Sequence, residues 1–207
     1  MNYRTMMYLY KGFDFLPTII SDAIYFFLQR KFGGLRNFPH KISVSAGVEC
    51  MRRFHAISKN TTDFTVLEVG TGRILNTAII FYLCGAARVI TVDLHRLRNR
   101  TMVAEGFKWI ISNHESFSKE QFINQGRLEG LIEFSKTDWT LETLDEFINI
   151  TYLAPADASA LDLPDNSIDC HFSTTVLEHI EPSILKKLSS KLRELLKRKV
   201  ILFTEST

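Results

Sequence analysis

Glu68, Gly70 and Gly72 alternate with other residues in the segment VLEVGTGRI, residues 66–74, at the end of an apolar run. Glycine permits backbone conformations with positive φ and lets a ligand approach the main chain closely. A carboxylate two residues before such a turn attracts a cationic group strongly when the surroundings are partly dry. The spacing therefore predicts a binding turn for a ligand that carries positive charge.

Asp93 is a second acid whose position indicates a ligand. It ends a predicted strand about twenty residues beyond the glycines, where an acid accepts hydrogen bonds from both hydroxyls of a ribose. A dinucleotide would favour a third glycine at the position of Leu75, because its pyrophosphate lies on a helix N-terminus, and Glu68 would repel that pyrophosphate. An adenosine ligand with an ammonium and a sulfonium suits both acids, so S-adenosylmethionine is favoured over NAD.

The elements around these residues follow the order strand, helix, strand, which is typical of a parallel sheet with helices on both faces. The predicted strands are 64–70, 88–93, 150–158, 167–175 and 199–204. The predicted helices between them are 74–84, 96–111, 119–134, 141–150 and 184–196, with Thr140 as an N-cap. The expected fold class is α/β, a Rossmann-like parallel sheet of about five strands. It occupies a domain at 61–207 with a helical insertion at about 96–149, after a helical N-terminal extension at 1–60.

Three segments, in this order, resemble the class I S-adenosylmethionine-dependent methyltransferases, in particular the group that acts on small molecules, lipids and sugars. They are VLEVGTGR, VITVDLH and APADASALDLPDNSIDCHFSTTVLEHI. The resemblance covers residues 64–204 outside the insertion. Its most specific part is 163–180, where LPDNSID leads into a strand that is followed by VLEHI.

The resemblance implies a binding site for S-adenosylmethionine that is spread over four strand ends. Glu68, Gly70 and Gly72 would border the methionine part of the cofactor, and Asp93 would hold the ribose diol. Five further residues are implied: Leu94 beside the adenine, Asp157 on the adenine amino group, Ala158 through its backbone amide, and Ser173 and Thr174 beside the methionine and the reacting methyl group.

His179 and Glu178 are the candidates for acid–base chemistry. Methyl transfer depends mainly on alignment, and a base is needed only when the acceptor must lose a proton. His179 fits that task for a hydroxyl acceptor because its ordinary pKa lies near neutrality. A structural role, packing against the next helix or capping it, fits both residues as well as a catalytic role does. Three more histidines are candidates for the cleft: His40, His55 and His95. No metal site is predicted, since the acids and histidines near the fourth strand lack a spacing that converges three ligands on one ion.

The overall composition bounds the partners and the compartment. The formal charge of +2, from 25 basic and 23 acidic residues, gives no support for nucleic-acid binding. The basic segment 186–199 has leucines at helical spacing, so it predicts an amphipathic helix with a solvated cationic side. Cys50, Cys84 and Cys170 form no C-x-x-C pair and are predicted to be buried free thiols in a reducing compartment. With no cleavable signal evident in residues 1–10, a cytoplasmic location is expected.

The apolar stretch 13–28 is shorter than the ~20 residues of a membrane span and contains Asp14, Pro17 and Asp22. We expect a helix packed on the main domain or over its pocket. The alternative is a helix lying on a membrane with Arg30, Lys31 and Arg36 near the headgroups. The acceptor determinants are expected in 1–60 and 96–149, and the phenylalanines of the N-terminal part favour a lipid-linked acceptor.

The sequence departs from the family pattern in two places. Ile74 stands where many relatives have a third glycine, and KVILFTEST ends the sequence at the fifth strand, before the C-terminal hairpin of the family sheet. A fragment of a longer protein or a shortened member is therefore expected. The alternative is that an oligomeric partner or the N-terminal helices cover the edge of the fifth strand. Two other functions remain open: a catalytically idle, cofactor-binding partner subunit and an NAD-dependent oxidoreductase.

Overall fold

The computed structural model describes the backbone of residues 18–58, 61–197 and 202–205, and the side chains of 24–58 and 61–197. The chain divides into two compact units, Met1–Pro39 and His40–Thr207. The predictions for residues 1–17 and 198–201 lie outside the described residues. Among the described helices, none combines the length and apolar character that crossing a bilayer requires.

Helices and strands alternate through the second unit. The described strands are β1 (Phe64–Val69), β2 (Ala86–Val92), β3 (Ile150–Leu153), β4 (Cys170–Thr174) and β5 (Leu202–Glu205). The described α-helices are α1 (Thr18–Phe32), α2 (His40–Ile57), α3 (Asn76–Leu83), α4 (Arg100–Ser112), α5 (Gln125–Phe134), α6 (Leu141–Phe147) and α7 (Pro182–Leu195). Three short 3₁₀ helices follow α4, β3 and β4, at His114–Ser116, Ala158–Ala160 and Leu177–His179.

The strands form one parallel sheet in the order β3-β2-β1-β4-β5. Side chains are described for four of these strands, and β5 is described by its backbone, which pairs with β4 at the sheet edge. The chain runs outward from β1 to β3 and then returns to the other side of β1, so the order reverses between β1 and β4. This arrangement confirms the predicted α/β, Rossmann-like parallel sheet.

Both faces of the sheet are buried, which explains why its strands read as nearly continuous apolar runs. Phe64 and Val66 of β1 belong to the larger core, which also contains residues of α2 to α6. Leu67 and Val69 face the smaller core, where α7 contributes three buried leucines. Those leucines, Leu188, Leu192 and Leu195, confirm the predicted amphipathic helix.

Local signals explain the helix boundaries of the insertion. Thr140 caps α6 and forms the reciprocal pair of hydrogen bonds with Thr143 that defines a capping box, as the predicted N-cap requires. The helix expected from 119 begins only at Gln125, since Asn124 accepts a hydrogen bond from the Arg127 amide and caps it. The strand expected over 150–158 ends at Leu153.

The compact second unit begins at His40, earlier than the expected boundary at 60–61. The reason is that α2 belongs to the core: Val44, Met51 and Phe54 are almost fully buried. Gly47 lets α2 approach α3 closely, because a Cβ atom there would lie 3.3 Å from the side chain of Ile80. The cysteines are free and buried, as predicted: Cys50, Cys84 and Cys170.

Candidate cofactor-binding site

A cavity of about 690 Å³ opens at the carboxyl ends of the strands, beside the reversal in strand order. The backbone pairing of β1 with β4 ends at Glu68 and Phe172, and the Ser173 hydroxyl then donates to the carbonyl of Val69 at 3.0 Å. Open α/β sheets bind ligands at this position. The volume is within the ~300–1,000 Å³ range of small-molecule sites.

Most of the predicted site residues meet in this cavity. Eight of them line it: Gly70, Gly72, Asp93, Leu94, Asp157, Ala158, Thr174 and His179. Glu68, Ser173 and Glu178 do not. Ser173 is 1% exposed, so it ties β4 to β1 behind the wall of the cavity instead of reaching a ligand.

The glycine turn after β1 requires both of its glycines. Gly70 has a φ of 91°, and its amide donates to the carbonyl of Val92 at 2.8 Å. A Cβ atom on Gly70 would lie 2.2 Å from Cγ2 of Val176, which also lines the cavity. Gly72 has a φ of 64° with open space around it. The turn therefore presents bare backbone to the cavity.

The Asp93 carboxylate is held by the backbone on both sides. Its Oδ2 accepts from the Gly72 amide at 2.9 Å, and its Oδ1 accepts from the His95 amide at 3.1 Å. Each carboxylate oxygen has two lone pairs, so each can still accept a hydrogen bond from a ligand. The arrangement suits a pair of neighbouring hydroxyls, such as a ribose diol.

Asp157 supplies a second carboxylate beyond β3. Its Oδ1 accepts from the Ser159 amide at 2.8 Å, so Asp157 caps the short 3₁₀ helix that contains Ala158. The Ala156 amide donates to the Asp93 carbonyl at 2.9 Å, which joins the loops after β2 and β3. Neighbouring strands lie about 4.8 Å apart. The two acids can therefore contact different parts of one elongated ligand.

Thr174 and Thr175 show two signs of a functional site at the end of β4. The Thr174 hydroxyl is buried and has no hydrogen-bond partner among the described residues, although Thr174 lines the cavity. Thr175 also lines it and has a φ of 55°, which a β-branched residue rarely adopts. Unsatisfied polar groups and strained backbone cluster where ligands bind. Thr175 was missed, because the sequence analysis made it the last residue of the predicted strand 167–175, whereas the observed strand ends at Thr174.

Glu68 lies behind the cavity wall, which differs from the predicted contact with a ligand. It is 5% exposed, and its Oε1 accepts a hydrogen bond from the Thr77 hydroxyl of α3. Its Oε2 is buried with no partner among the described residues. Burial raises the pKa of the Glu68 carboxyl to about 7 against the opposing effect of the Thr77 hydrogen bond, and the charge of Asp93 raises it further.

The raised pKa of Glu68 predicts a distinctive pH dependence of stability. The carboxyl ionises near pH 4.5 in the unfolded chain and near pH 7 in the fold, so the fold holds the extra proton between these values. The free energy of unfolding should therefore lose about 3 kcal/mol from this group as the pH rises from 4.5 to 7, and no more above it. Urea unfolding at pH 5 and pH 8 measures this loss.

The Glu68→Gln variant isolates this effect because it removes the charge and keeps an acceptor for Thr77. Its stability relative to the unmodified chain should rise by about 2 to 3 kcal/mol between pH 5 and pH 8. A comparison with the unmodified chain is needed because His171 has the opposite effect. Burial lowers the pKa of His171 to about 4, so this group increases the free energy of unfolding as the pH rises toward 6.5. Glu129→Gln, at an exposed position of α5, is the control. If Glu68→Gln and Glu129→Gln differ in free energy of unfolding by the same amount at pH 5 and at pH 8, the pH dependence does not come from Glu68.

His179 reaches the cavity with a side chain that is 78% exposed. Its Nε2 lies 4.0 Å from Oε1 of Glu178, which itself does not line the cavity. His95 is the second histidine of the lining. His40 lies beside Asn76 in the core, and the Nε2 of His55 lies 3.1 Å from the Cys84 carbonyl, so neither reaches the cavity.

The charges of the lining distinguish between classes of ligand. Asp93, Asp157 and Glu181 contribute carboxylates, and the part of the lining formed by described residues includes neither lysine nor arginine. Leu75 and Asn76, at the N-terminus of α3, are also absent from the lining. Among the described residues a pyrophosphate would meet no cation here, and the helix N-terminus that borders the cavity, that of α7, carries the carboxylate of Glu181. The residues instead fit a cationic adenosine ligand.

The apolar wall comes from a segment that the sequence did not indicate for this role. Of the insertion expected to carry acceptor determinants, residues 96–149, only Leu97 lines the cavity. Val176, Ile180, Ile184 and Leu188 form the wall on the side of α7. The sequence signal for this wall is the series of apolar residues that continues from VLEHI into α7.

Comparisons with known proteins give distant likenesses. No family model matches the chain, and no curated protein is significantly similar. A proposed S-adenosyl-L-methionine-dependent methyltransferase of Methanococcus maripaludis is 13% identical with a TM-score of 0.47, covering 89% of this chain and 62% of that one. The PH0226 protein of Pyrococcus horikoshii is 15% identical with a TM-score of 0.46, covering 85% and 64%.

A third solved structure is phosphoethanolamine N-methyltransferase 1 of Haemonchus contortus, in complex with phosphoethanolamine and S-adenosylhomocysteine. It is 12% identical with a TM-score of 0.44, covering 96% of this chain and 31% of that one. This chain therefore spans less than two thirds of each of the three proteins. All three TM-scores are below 0.5.

Proposed function

We propose that this protein binds S-adenosylmethionine and transfers its methyl group to a small-molecule, sugar or lipid-linked acceptor. The observation that carries the proposal is the cavity at the strand reversal, with fixed carboxylates after β2 and β3 and no cation in its described lining. Such a lining attracts a cationic ligand and repels a pyrophosphate. The buried free thiols fit the reducing cytoplasm proposed as its location.

Each part of the cofactor has a matching residue. Asp93 would hold the ribose diol, and Asp157 would accept from the adenine amino group with the Ala158 amide beside it. Leu94, 61% exposed at the rim of the cavity, would cover one face of the adenine. The methionine part would lie at the Gly70 turn near the Thr174 hydroxyl. Glu68 and Ser173 are placed to support this surface from behind.

When bound, S-adenosylmethionine would supply an activated methyl group: the acceptor would form a bond to the methyl carbon as the carbon–sulfur bond breaks, and the neutral thioether of S-adenosylhomocysteine would leave. The carboxylates of the chain act mainly on binding, because they favour the cationic ligand over its neutral product. The wall of Val176, Ile180 and Ile184 excludes water and holds the acceptor in line, and alignment of this kind is worth several powers of ten in rate. His179 can take the proton that a hydroxyl acceptor loses.

Calorimetric titration tests the proposal. S-adenosylmethionine and S-adenosylhomocysteine should bind with one site per chain, whereas NAD should give no heat of binding. Formation of S-adenosylhomocysteine in the presence of an acceptor panel then distinguishes an enzyme from an idle, cofactor-binding subunit. Binding of NAD alone would replace the proposal with an oxidoreductase.

His179→Gln tests the proposed base. With a hydroxyl acceptor, kcat should fall about a hundredfold, since general base catalysis contributes ~10²–10⁴. The dissociation constant for S-adenosylmethionine and the melting temperature should stay unchanged, because the side chain is largely exposed. The acidic limb of the pH profile should also disappear. An unchanged profile together with a lower melting temperature would show a packing role.

A further inference from the structure

Residues 24–39, which contain most of α1, combine aromatic and cationic side chains without any acid. The aromatic residues are Tyr25, Phe26, Phe27, Phe32 and Phe38. The cations are Arg30, Lys31 and Arg36. A run of this composition carries a local charge of +3, while the whole chain has only +2. Positive charge is therefore concentrated beside exposed aromatic rings.

Phe27 and Phe32 form one exposed surface with Lys31 between them. The two phenylalanine side chains are 57% and 54% exposed. The Lys31 ammonium lies 5.6 Å from the centroid of the Phe27 ring and 5.5 Å from that of Phe32. Cations and aromatic faces attract at this range. We call these three residues the Phe27 patch.

Aromatic rings beside cations are suited to the interface of a lipid bilayer. Rings gain by leaving water for the boundary between headgroups and acyl chains, while a lysine extends its ammonium toward the phosphates. Each cation near an anionic membrane surface adds about 1 kcal/mol, or roughly fivefold in binding. Residues 24–39 contain no acid, and Asp22 is the one acid in the sequence of α1, so the net charge of residues 18–39 is still +2.

We propose that the Phe27 patch binds the surface of an anionic lipid bilayer. A second copy of this chain fits less well, because a symmetric contact would bring Lys31 of one copy against the same patch of the other. The proposal does not depend on the reaction proposed above.

Vesicle sedimentation of the full chain tests the proposal. One set of vesicles is phosphatidylcholine, and the other contains about one quarter phosphatidylserine. Three cations predict a preference of roughly a hundredfold for the anionic vesicles, and this preference should weaken when the salt is raised from about 0.1 M to about 0.5 M.

Variants locate the surface that binds. The double variant Phe27→Ser/Phe32→Ser should bind the anionic vesicles at least tenfold more weakly, and Lys31→Gln about fivefold more weakly. Ile57→Ser is the matched control, because Ile57 of α2 is 63% exposed and lies outside the patch. Circular dichroism checks that every variant keeps its helices.

Three results would overturn the proposal. The first is no binding to the anionic vesicles. The second is equal binding by the double serine variant and the unmodified chain. The third is a dimer in light scattering that the double variant abolishes, since the patch would then join two copies of the chain.

Discussion

Asp93→Asn should weaken S-adenosylmethionine binding about a thousandfold while leaving the fold intact. Both carboxylate oxygens of Asp93 accept backbone amides, from Gly72 and His95. In asparagine, the side-chain NH2 group would face one of these backbone N–H groups, so that two donors would oppose each other. The negative charge that attracts the cationic ligand would also be lost. Each charged hydrogen bond is worth ~1.5–3 kcal/mol, and two would be lost on the side of the new NH2 group, one from a backbone amide and one from a ribose hydroxyl. Calorimetry measures the binding constant.

Asp138→Asn is the matched control for this prediction. Asp138 is exposed and lies outside the cavity, so its variant loses the same charge without touching the site. Its binding constant should equal that of the unmodified chain. If both variants weaken binding equally, the effect is one of overall charge and Asp93 does not hold the ligand.

Gly70→Ala should destabilise the fold by about 3 kcal/mol and abolish cofactor binding. The alanine would adopt a φ of 91°, which costs ~1–3 kcal/mol. Its Cβ would also lie 2.2 Å from Cγ2 of Val176 and 3.1 Å from its Cβ. Rotation of the Val176 side chain does not remove the overlap, because its Cβ and Cγ1 atoms also lie close to this position. Overpacking of this kind costs ~1–3 kcal/mol. Urea unfolding measures the total.

Two further variants separate the cost of backbone strain from the cost of steric overlap with Val176. Gly72→Ala meets open space at a φ of 64°, so it should cost only about 1 kcal/mol, from backbone strain alone. The double variant Gly70→Ala/Val176→Ala should recover part of the loss, because the overlapping methyl groups are gone. Equal costs at Gly70 and Gly72 would show that the contact with Val176 is unimportant.

The sheet could be predicted from the sequence because its strands are buried on both faces. That burial gives the apolar runs around Val66 and Val89, and the glycines after β1 mark the first turn. The position of Asp93 followed directly from those runs, whereas Asp157 was implied by the family resemblance. A residue at the end of a parallel strand lies at one edge of the sheet, whatever the packing elsewhere.

The face on which a strand residue lies could not be predicted in the same way. Side chains alternate across a strand, and in a sheet buried on both sides the sequence does not mark which face opens to a ligand. Glu68 was therefore expected in the cavity, whereas its hydrogen bond to Thr77 holds it on the side of α3. The positive φ of Thr175, 55°, was likewise not predicted, since the sequence analysis placed this residue inside an extended strand.

The start of the second compact unit and the apolar wall of the cavity could not be predicted for a related reason. An amphipathic helix such as α2 shows that it packs on something, but its sequence does not identify the partner. The same holds for α7, where Ile184 lines the cavity while Leu192 lies in the core. Both assignments depend on distant segments of the chain.

A crystal structure with S-adenosylhomocysteine tests the central claim most directly. The account predicts the ribose hydroxyls within about 3 Å of the Asp93 carboxylate, the adenine amino group at Asp157, and the homocysteine part at the Gly70 turn. A ligand bound elsewhere, or turned so that its ribose lies away from Asp93, would contradict it.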